Sequence, residues 1–155
     1  MHISDKGIEF IIREEGERLT AYKCPAGVWT VGVGHTGKDV KEGMKITKEQ
    51  SRELLKHDLK RFETCINTNV SRILKQHEFD ALVSFAFNVG CEAFRLSTLR
   101  KKINSYAPAT EIAAEFRKWR KGGGKVLPVL IARREREIKL FAEGRYDRWG
   151  FKNYK

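Results

Sequence analysis

Apolar residues recur at helical spacing through most of the chain, with one interruption near the N-terminus. Ile8, Ile11 and Ile12 share a face after Ser4, a good N-cap, and Gly16 supplies a stop, which predicts a first helix. The pattern then changes. Tyr22-Lys23-Cys24-Pro25-Ala26-Gly27 contains a turn, and Val28 to His35 is β-branched and punctuated by glycine, predicting a hairpin or three-stranded sheet. Thr47-Lys48-Glu49-Gln50 is a capping box, opening a long helix with Leu54, Leu55, Leu59, Phe62 and Ile66 at helical spacing. Gln76 to about Asn88 reads as a core helix ended by Gly90, and Ser97 caps a short helix to about Tyr106. Pro108 opens another helix, running to a Gly122-Gly123-Gly124 loop, and Pro128 opens the last, which Gly144 stops. The expected fold class is α+β and predominantly helical, as one domain over residues 1–155. A small β lobe (about 17–46) and a helical body (about 47–146, plus helix one) would be joined by the long helix, with a cleft between.

Composition supports a globular chain: 155 residues, 41% apolar and 33% charged, enough to bury a core without a disulfide or metal scaffold. The longest apolar run, Val129 to Ala132, is far short of the ~20 residues of a bilayer span. Asp5, Glu9, Glu14 and Glu15 occupy the region a signal peptide keeps apolar, so no export signal is expected. Cys24, Cys65 and Cys91 are odd in number and widely spaced, which reads as reduced thiols made in the cytosol, with Cys65 and Cys91 as buried structural thiols. The four histidines lack ligand spacing, so neither a metal nor a cofactor is expected. Charge is uneven. Residues 1–70 hold 12 Lys/Arg against 11 Asp/Glu, whereas residues 71–155 hold 19 against 9, and such a polycation seeks a polyanion.

The densest polar cluster is Arg13-Glu14-Glu15-Gly16-Glu17-Arg18. A carboxylate in the last turn of a helix feels the negative end of the dipole, which favours its protonated form and suits a general acid. Beyond it, Ala21-Tyr22, Cys24 and Gly27 to Thr36 complete a pattern of Glu, eight residues, Asp or Cys, five residues, then Thr, on which Glu15, Cys24 and Thr30 fall. This resembles the entry motif of the phage-type lysozymes, glycoside hydrolase family 24. The likeness continues through Gln76 to Gly90, similar to the family's central helix. It extends to Leu127-Pro128 and Arg133-Arg134, similar to its C-terminal element, although Val129 stands where Gly is common. The resemblance covers roughly residues 5–146.

The resemblance implies a lysozyme-like fold and hydrolysis of the β-1,4 bond between N-acetylmuramic acid and N-acetylglucosamine in peptidoglycan. Glu15 would protonate the glycosidic oxygen. Thr30 would hold a water or sugar group near the anomeric carbon, and Arg133 or Arg134 would lie against Glu15. Cys24 stands where many relatives carry Asp. A thiol is mostly neutral at pH 7, so an acting Cys24 needs a lowered pKa or must attack directly as a nucleophile. His35 is expected to pair with Asp58 and tie the small sheet to the long helix. Phe87, with Thr36 and Thr98, matches substrate-contacting positions, whereas Trp119 and Trp149 read as packing residues able to stack sugars.

Three function classes follow. An endolysin would take bacterial peptidoglycan as its substrate and meet anionic envelope polymers through residues 117–136, which hold eight Lys/Arg and one Asp/Glu. It would act as a monomer, staying in the host cytoplasm until a separate, holin-type membrane lesion opened. A specific nucleic-acid binder is disfavoured, because neither zinc-finger spacing nor an RNP aromatic motif is present. The remaining class keeps the fold and changes the reaction: a lytic transglycosylase using Glu15 alone, or a non-hydrolytic wall-binding protein.

Overall fold

Ser4 starts the first helix as the pattern predicts: its Oγ accepts from the Gly7 N–H at 3.0 Å, and α1 runs Asp5–Glu15. The computed structural model describes residues 1–147; Arg148 to Lys155, and with them Trp149, lie outside the described residues. The elements that follow are β1 (Arg18–Lys23), β2 (Trp29–Gly32), β3 (His35–Thr36), α2 (Lys48–Asn69), α3 (Gln76–Val89), α4 (Cys91–Leu96) and α5 (Thr98–Asn104). After these come α6 (Ala109–Arg117), β4 (Lys121–Gly122), β5 (Lys125–Val126) and α7 (Pro128–Glu143). The arrangement is α+β and mostly helical, with an antiparallel β1-β2-β3 sheet and a two-stranded β4-β5 ribbon. The chain divides into two compact units, Ile8–Arg61 and Met1–Gly7 with the chain from Phe62 on. The division falls inside α1 and α2, so the first unit takes in more than the expected 17–46 lobe.

In the unit Ile8–Arg61, the core is Ile8, Phe10, Ile11, Val31, Val33, Val40, Leu55 and Leu59. The capping box at α2 is reciprocal: the Gln50 N–H donates to Thr47 Oγ1 at 3.1 Å and the Thr47 N–H to Gln50 Oε1 at 2.9 Å. A second tie joins β3 to α2. The buried His35 ring sits between two carboxylates, Nδ1 2.8 Å from Asp58 Oδ2 and Nε2 3.1 Å from Asp39 Oδ2.

The other unit is built around α3, buried without a break from Glu78 to Ala86 and packed on α7. Phe85 is its hub, meeting Phe94, Phe116 and Trp119 in edge-on contacts at 6.3, 5.4 and 5.6 Å. A polar network crosses this core. Glu137, fully buried, accepts from Ser84 Oγ at 2.6 Å and pairs with Arg133 at 3.2 Å and Arg134 at 2.9 Å.

Three local features differ from the sequence reading. Cys65 and Cys91 are joined in a disulfide rather than held as free thiols: α2 and the start of α4 bring their Cα atoms within 6.0 Å, a tertiary proximity invisible in a separation of 26 residues. Residues 91–96 form the short helix α4, too brief for apolar periodicity to register. The triple glycine is the turn of a hairpin, with Gly123 and Gly124 both at positive φ between the two-residue strands β4 and β5.

Two predictions follow from these ties. A cross-link closing a loop of this length stabilises by about 2–4 kcal/mol. A reductant should therefore lower the denaturation midpoint of the wild type and leave a Cys65→Ser/Cys91→Ser variant unmoved; equal response of both would refute the tie. Burial alone would lower the His35 pKa, but the hydrogen bonds from Asp58 and Asp39 outweigh it and raise it above the ordinary 6.5. The stabilisation is then complete below that ordinary value and is lost as pH rises through the raised one. Thermal midpoints measured between roughly pH 6 and pH 8 should fall with pH, and Asp58→Asn should flatten that slope.

Candidate functional site

Glu15 is the last residue of α1, which ends when Gly16 turns left-handed (φ 81°) while its N–H still reaches Ile12 O at 2.8 Å. Glu15 is an exposed residue. Three residues after Glu15 β1 begins, and the β1–β2 turn positions the next two candidates. There Cys24 N–H donates to Val28 O at 2.9 Å and Cys24 O accepts from Gly27 N–H at 2.8 Å. Pro25 suits the first inner position of such a turn, and Gly27, at φ 80°, takes the left-handed position that closes it.

This turn sets the register of the sheet. Tyr22 faces Thr30 across β1–β2, and Thr30 faces Thr36 across β2–β3, so the three side chains form one row on one face. Thr30 is buried and its hydroxyl donates to Val28 O at 3.0 Å. That leaves only acceptor lone pairs to offer a water or a sugar hydroxyl. The N–H groups of Val28 and then Ala26 hold the Cys24 thiol below its ordinary pKa. Thr30 Oγ1 is also within reach of the sulfur, but its single hydrogen goes to Val28 O, so the two backbone donors dominate.

The candidate residues fall in both units. Glu15, Cys24, Thr30, Thr36, His35 and Asp58 belong to Ile8–Arg61. In the other unit, Phe87 is half-buried near the end of α3, its ring meeting Phe62 edge-on at 5.3 Å. Thr98 is the first residue of α5 and exposed, beside the Ser97 cap whose Oγ accepts from the Arg100 N–H at 3.1 Å. Arg133 is buried, donating to the Ser84 carbonyl at 3.0 Å as well as pairing with Glu137. Two participants went unread in the sequence. Tyr22 joins the Thr30 row, a placement that counting back across the Cys24–Val28 turn would have given. Asp39 is the second partner of His35, and its signal was only an acid four residues on. Among the described residues, no group of three His, Cys, Asp or Glu is gathered closely enough to hold a metal ion.

Comparison with known proteins places the chain in a family. The sequence matches the family described as Phage lysozyme over residues 12–137. It is 45% identical over 147 residues to the endolysin of Acyrthosiphon pisum secondary endosymbiont phage 1, covering 91% of this chain and 98% of that protein. It is 46% identical over 147 residues to the endolysin of Salmonella phage P22, with the same coverage of each, 91% and 98%. The crystal structure of a P22 lysozyme mutant superposes with a TM-score of 0.85 at 44% identity, covering 91% of this chain and 98% of that one. The chain therefore belongs to the phage lysozyme family.

Proposed function

We propose that this lysozyme cleaves the β-1,4 bond between N-acetylmuramic acid and N-acetylglucosamine in bacterial peptidoglycan by hydrolysis. One observation carries the reading: a single compact unit combines an exposed glutamate ending α1 with a thiol set among backbone N–H donors and a buried, acceptor-only hydroxyl on the hairpin that follows. Glu15 acts as the general acid, giving its proton to the glycosidic oxygen as the bond breaks. Positive charge then develops at the anomeric carbon. Cys24, as thiolate, answers it by electrostatic stabilisation or by direct attack. Thr30 accepts a hydrogen bond from the incoming water, which turns a lone pair of that water toward carbon. The proton that water sheds goes to the Cys24 thiolate or, after direct attack, to the Glu15 carboxylate as water displaces the sulfur. Thr36, Phe87 and Thr98 touch the glycan, and the His35–Asp58 pair keeps the strand bearing Thr36 in place.

The biological setting is part of the same proposal. A monomeric endolysin of this kind lyses the host at the end of phage infection, remaining in the cytoplasm until a holin-type lesion exposes the wall. No helix among the described residues is long and apolar enough to cross a membrane, in keeping with that route. The basic stretch 117–136 would draw the enzyme to anionic envelope polymers.

Release of reducing ends from purified peptidoglycan tests the chemistry. Glu15→Gln should lower the rate by about 10²-fold or more, the usual scale for general acid catalysis. Cys24→Ser should lose more than about tenfold, while Cys24→Asp restores a charged group and recovers most of the rate. Full activity in Cys24→Ser would remove Cys24 from the mechanism.

A further inference from the structure

Two loops meet in the unit built around α3: residues 70–75, between α2 and α3, and residues 105–108, between α5 and α6. The Asn104 side chain joins them, accepting from the Ser71 N–H at 2.9 Å while its NH₂ donates to the Asn69 carbonyl at 3.0 Å. On these loops stand Ile73, 93% exposed, and Tyr106, 69% exposed. We propose that this paired tip docks the protein on a bilayer of anionic phospholipid, with Ile73 and Tyr106 in the interfacial layer and Lys75 and Lys101 on the headgroups. The proposal concerns lipid rather than glycan, so it holds or fails independently of the reaction the enzyme performs.

One exposed isoleucine is ordinary on a protein surface; an apolar and an aromatic residue held together at a loop pair are not. The Arg72 guanidinium lies 5.1 Å from the Tyr106 ring centroid and is itself anchored, its Nη2 donating to Glu78 Oε2 at 2.8 Å. Glu78 also accepts from the Lys75 N–H at 2.7 Å, so one buried carboxylate fixes both sides of the turn that carries Ile73. Tyr106 takes a left-handed backbone (φ 58°), the one non-glycine among the described residues to do so. Glycine or asparagine would adopt it with less strain. An aromatic stands there instead, and with most of its surface in solvent that strain is not offset by burial of the ring.

Charge decides the partner. Residues 69–76 and 100–108 hold Arg72, Lys75, Arg100, Lys101 and Lys102, with no Asp or Glu. Arg72 and Lys102 are committed to Glu78 and Glu115, whereas Lys75 and Lys101 are exposed, with no acidic partner among the described residues. Lysine stems lie along apolar surface while their ammonium groups reach phosphate. Tyrosine, with an apolar body and a polar hydroxyl, suits the headgroup level of a membrane. Ile73 stands clear of its own surface; a protein partner would have to supply a pocket for it, whereas the acyl region of a bilayer needs none. A neutral glycan would leave both lysines unanswered. One apolar anchor beside a few cations gives reversible docking on the membrane face, not insertion across it.

Partition of the full-length protein onto vesicles, read by co-sedimentation, tests the docking. On mixed phosphatidylglycerol–phosphatidylethanolamine vesicles, Ile73→Ser should weaken partition about tenfold, the scale of one buried aliphatic side chain, without changing net charge. Tyr106→Asn removes the ring, keeps a residue suited to the left-handed backbone, and should weaken partition by a similar factor. Val129→Ser is the control: an apolar residue, 64% exposed, at the start of α7 within the other strongly basic stretch. It should change partition by less than about twofold. The double variant Lys75→Gln/Lys101→Gln should lose about tenfold or more on these vesicles and nothing on neutral phosphatidylcholine. Circular dichroism matching the wild type shows each variant folded. Wild-type partition in Ile73→Ser, an equal fall in Ile73→Ser and Val129→Ser, or equal wild-type binding to anionic and neutral vesicles would overturn the tip as a lipid-docking site. No readout here needs a glycan, so loss of docking and loss of wall cleavage are separate results.

Discussion

Two backbone hydrogen bonds in the β1–β2 turn govern which side chains of the small sheet share a face. Cys24 N–H on Val28 O and Gly27 N–H on Cys24 O set the register of the strands next to the turn, before it shifts between Tyr22 and Arg18. In that register Tyr22, Thr30 and Thr36 share a face, while Val31 and His35 pair with each other on the opposite one. A one-residue slip would exchange the faces, moving Thr30 to the side that Val31 now fills and Val31 into the row of Tyr22 and Thr36. The same turn directs the Val28 and Ala26 N–H groups toward the Cys24 sulfur, so geometry and acidity share one cause. Thr30, its own hydrogen committed to Val28 O, becomes an acceptor for the same reason.

Elsewhere the chain uses charge inside its core, as a shared arrangement between helices. Glu137 lies at full burial between Arg133 and Arg134, one turn back along α7, and takes a hydrogen from Ser84 of α3. A buried carboxylate is tolerated only when such partners surround it, and removing one member of such a pair typically costs about 3–5 kcal/mol. The return is orientation. Arg134 reaches Asn88 and stacks on Phe85, so the end of α3 and the middle of α7 are held in one arrangement.

What the sequence discloses, and what it hides, follows the range of the interactions involved. Helix starts at Ser4, Thr47, Ser97 and Pro128 and the stop at Gly144 are local signals, each satisfied within a few residues, and each is legible. Glu15 stands out locally as a carboxylate in the last turn of a helix, whereas Cys24 and Thr30 were singled out by the spacing of the family motif. The Cys65–Cys91 disulfide was misread because its cause is the docking of α2 against α4, which no spacing records. Helix α4 and the β4–β5 ribbon are too short to show periodicity. Asp39 beside His35 depends on a side chain converging from the loop that follows β3. Phe87, Thr98 and Arg133 were reached only through the family resemblance, since nothing in their own neighbourhoods distinguishes them from packing residues.

The central claim is that the Glu15 acid, working beside Cys24 and Thr30, delivers water to the anomeric carbon. Mass spectrometry of the soluble fragments from digested peptidoglycan reads this directly in the new chain ends. Fragments ending in reducing N-acetylmuramic acid carry the mass of one added water and are the predicted result. Fragments ending in 1,6-anhydro-N-acetylmuramic acid would contradict it: the muramic hydroxyl would have taken the place of water, and the hairpin would serve to shape the site.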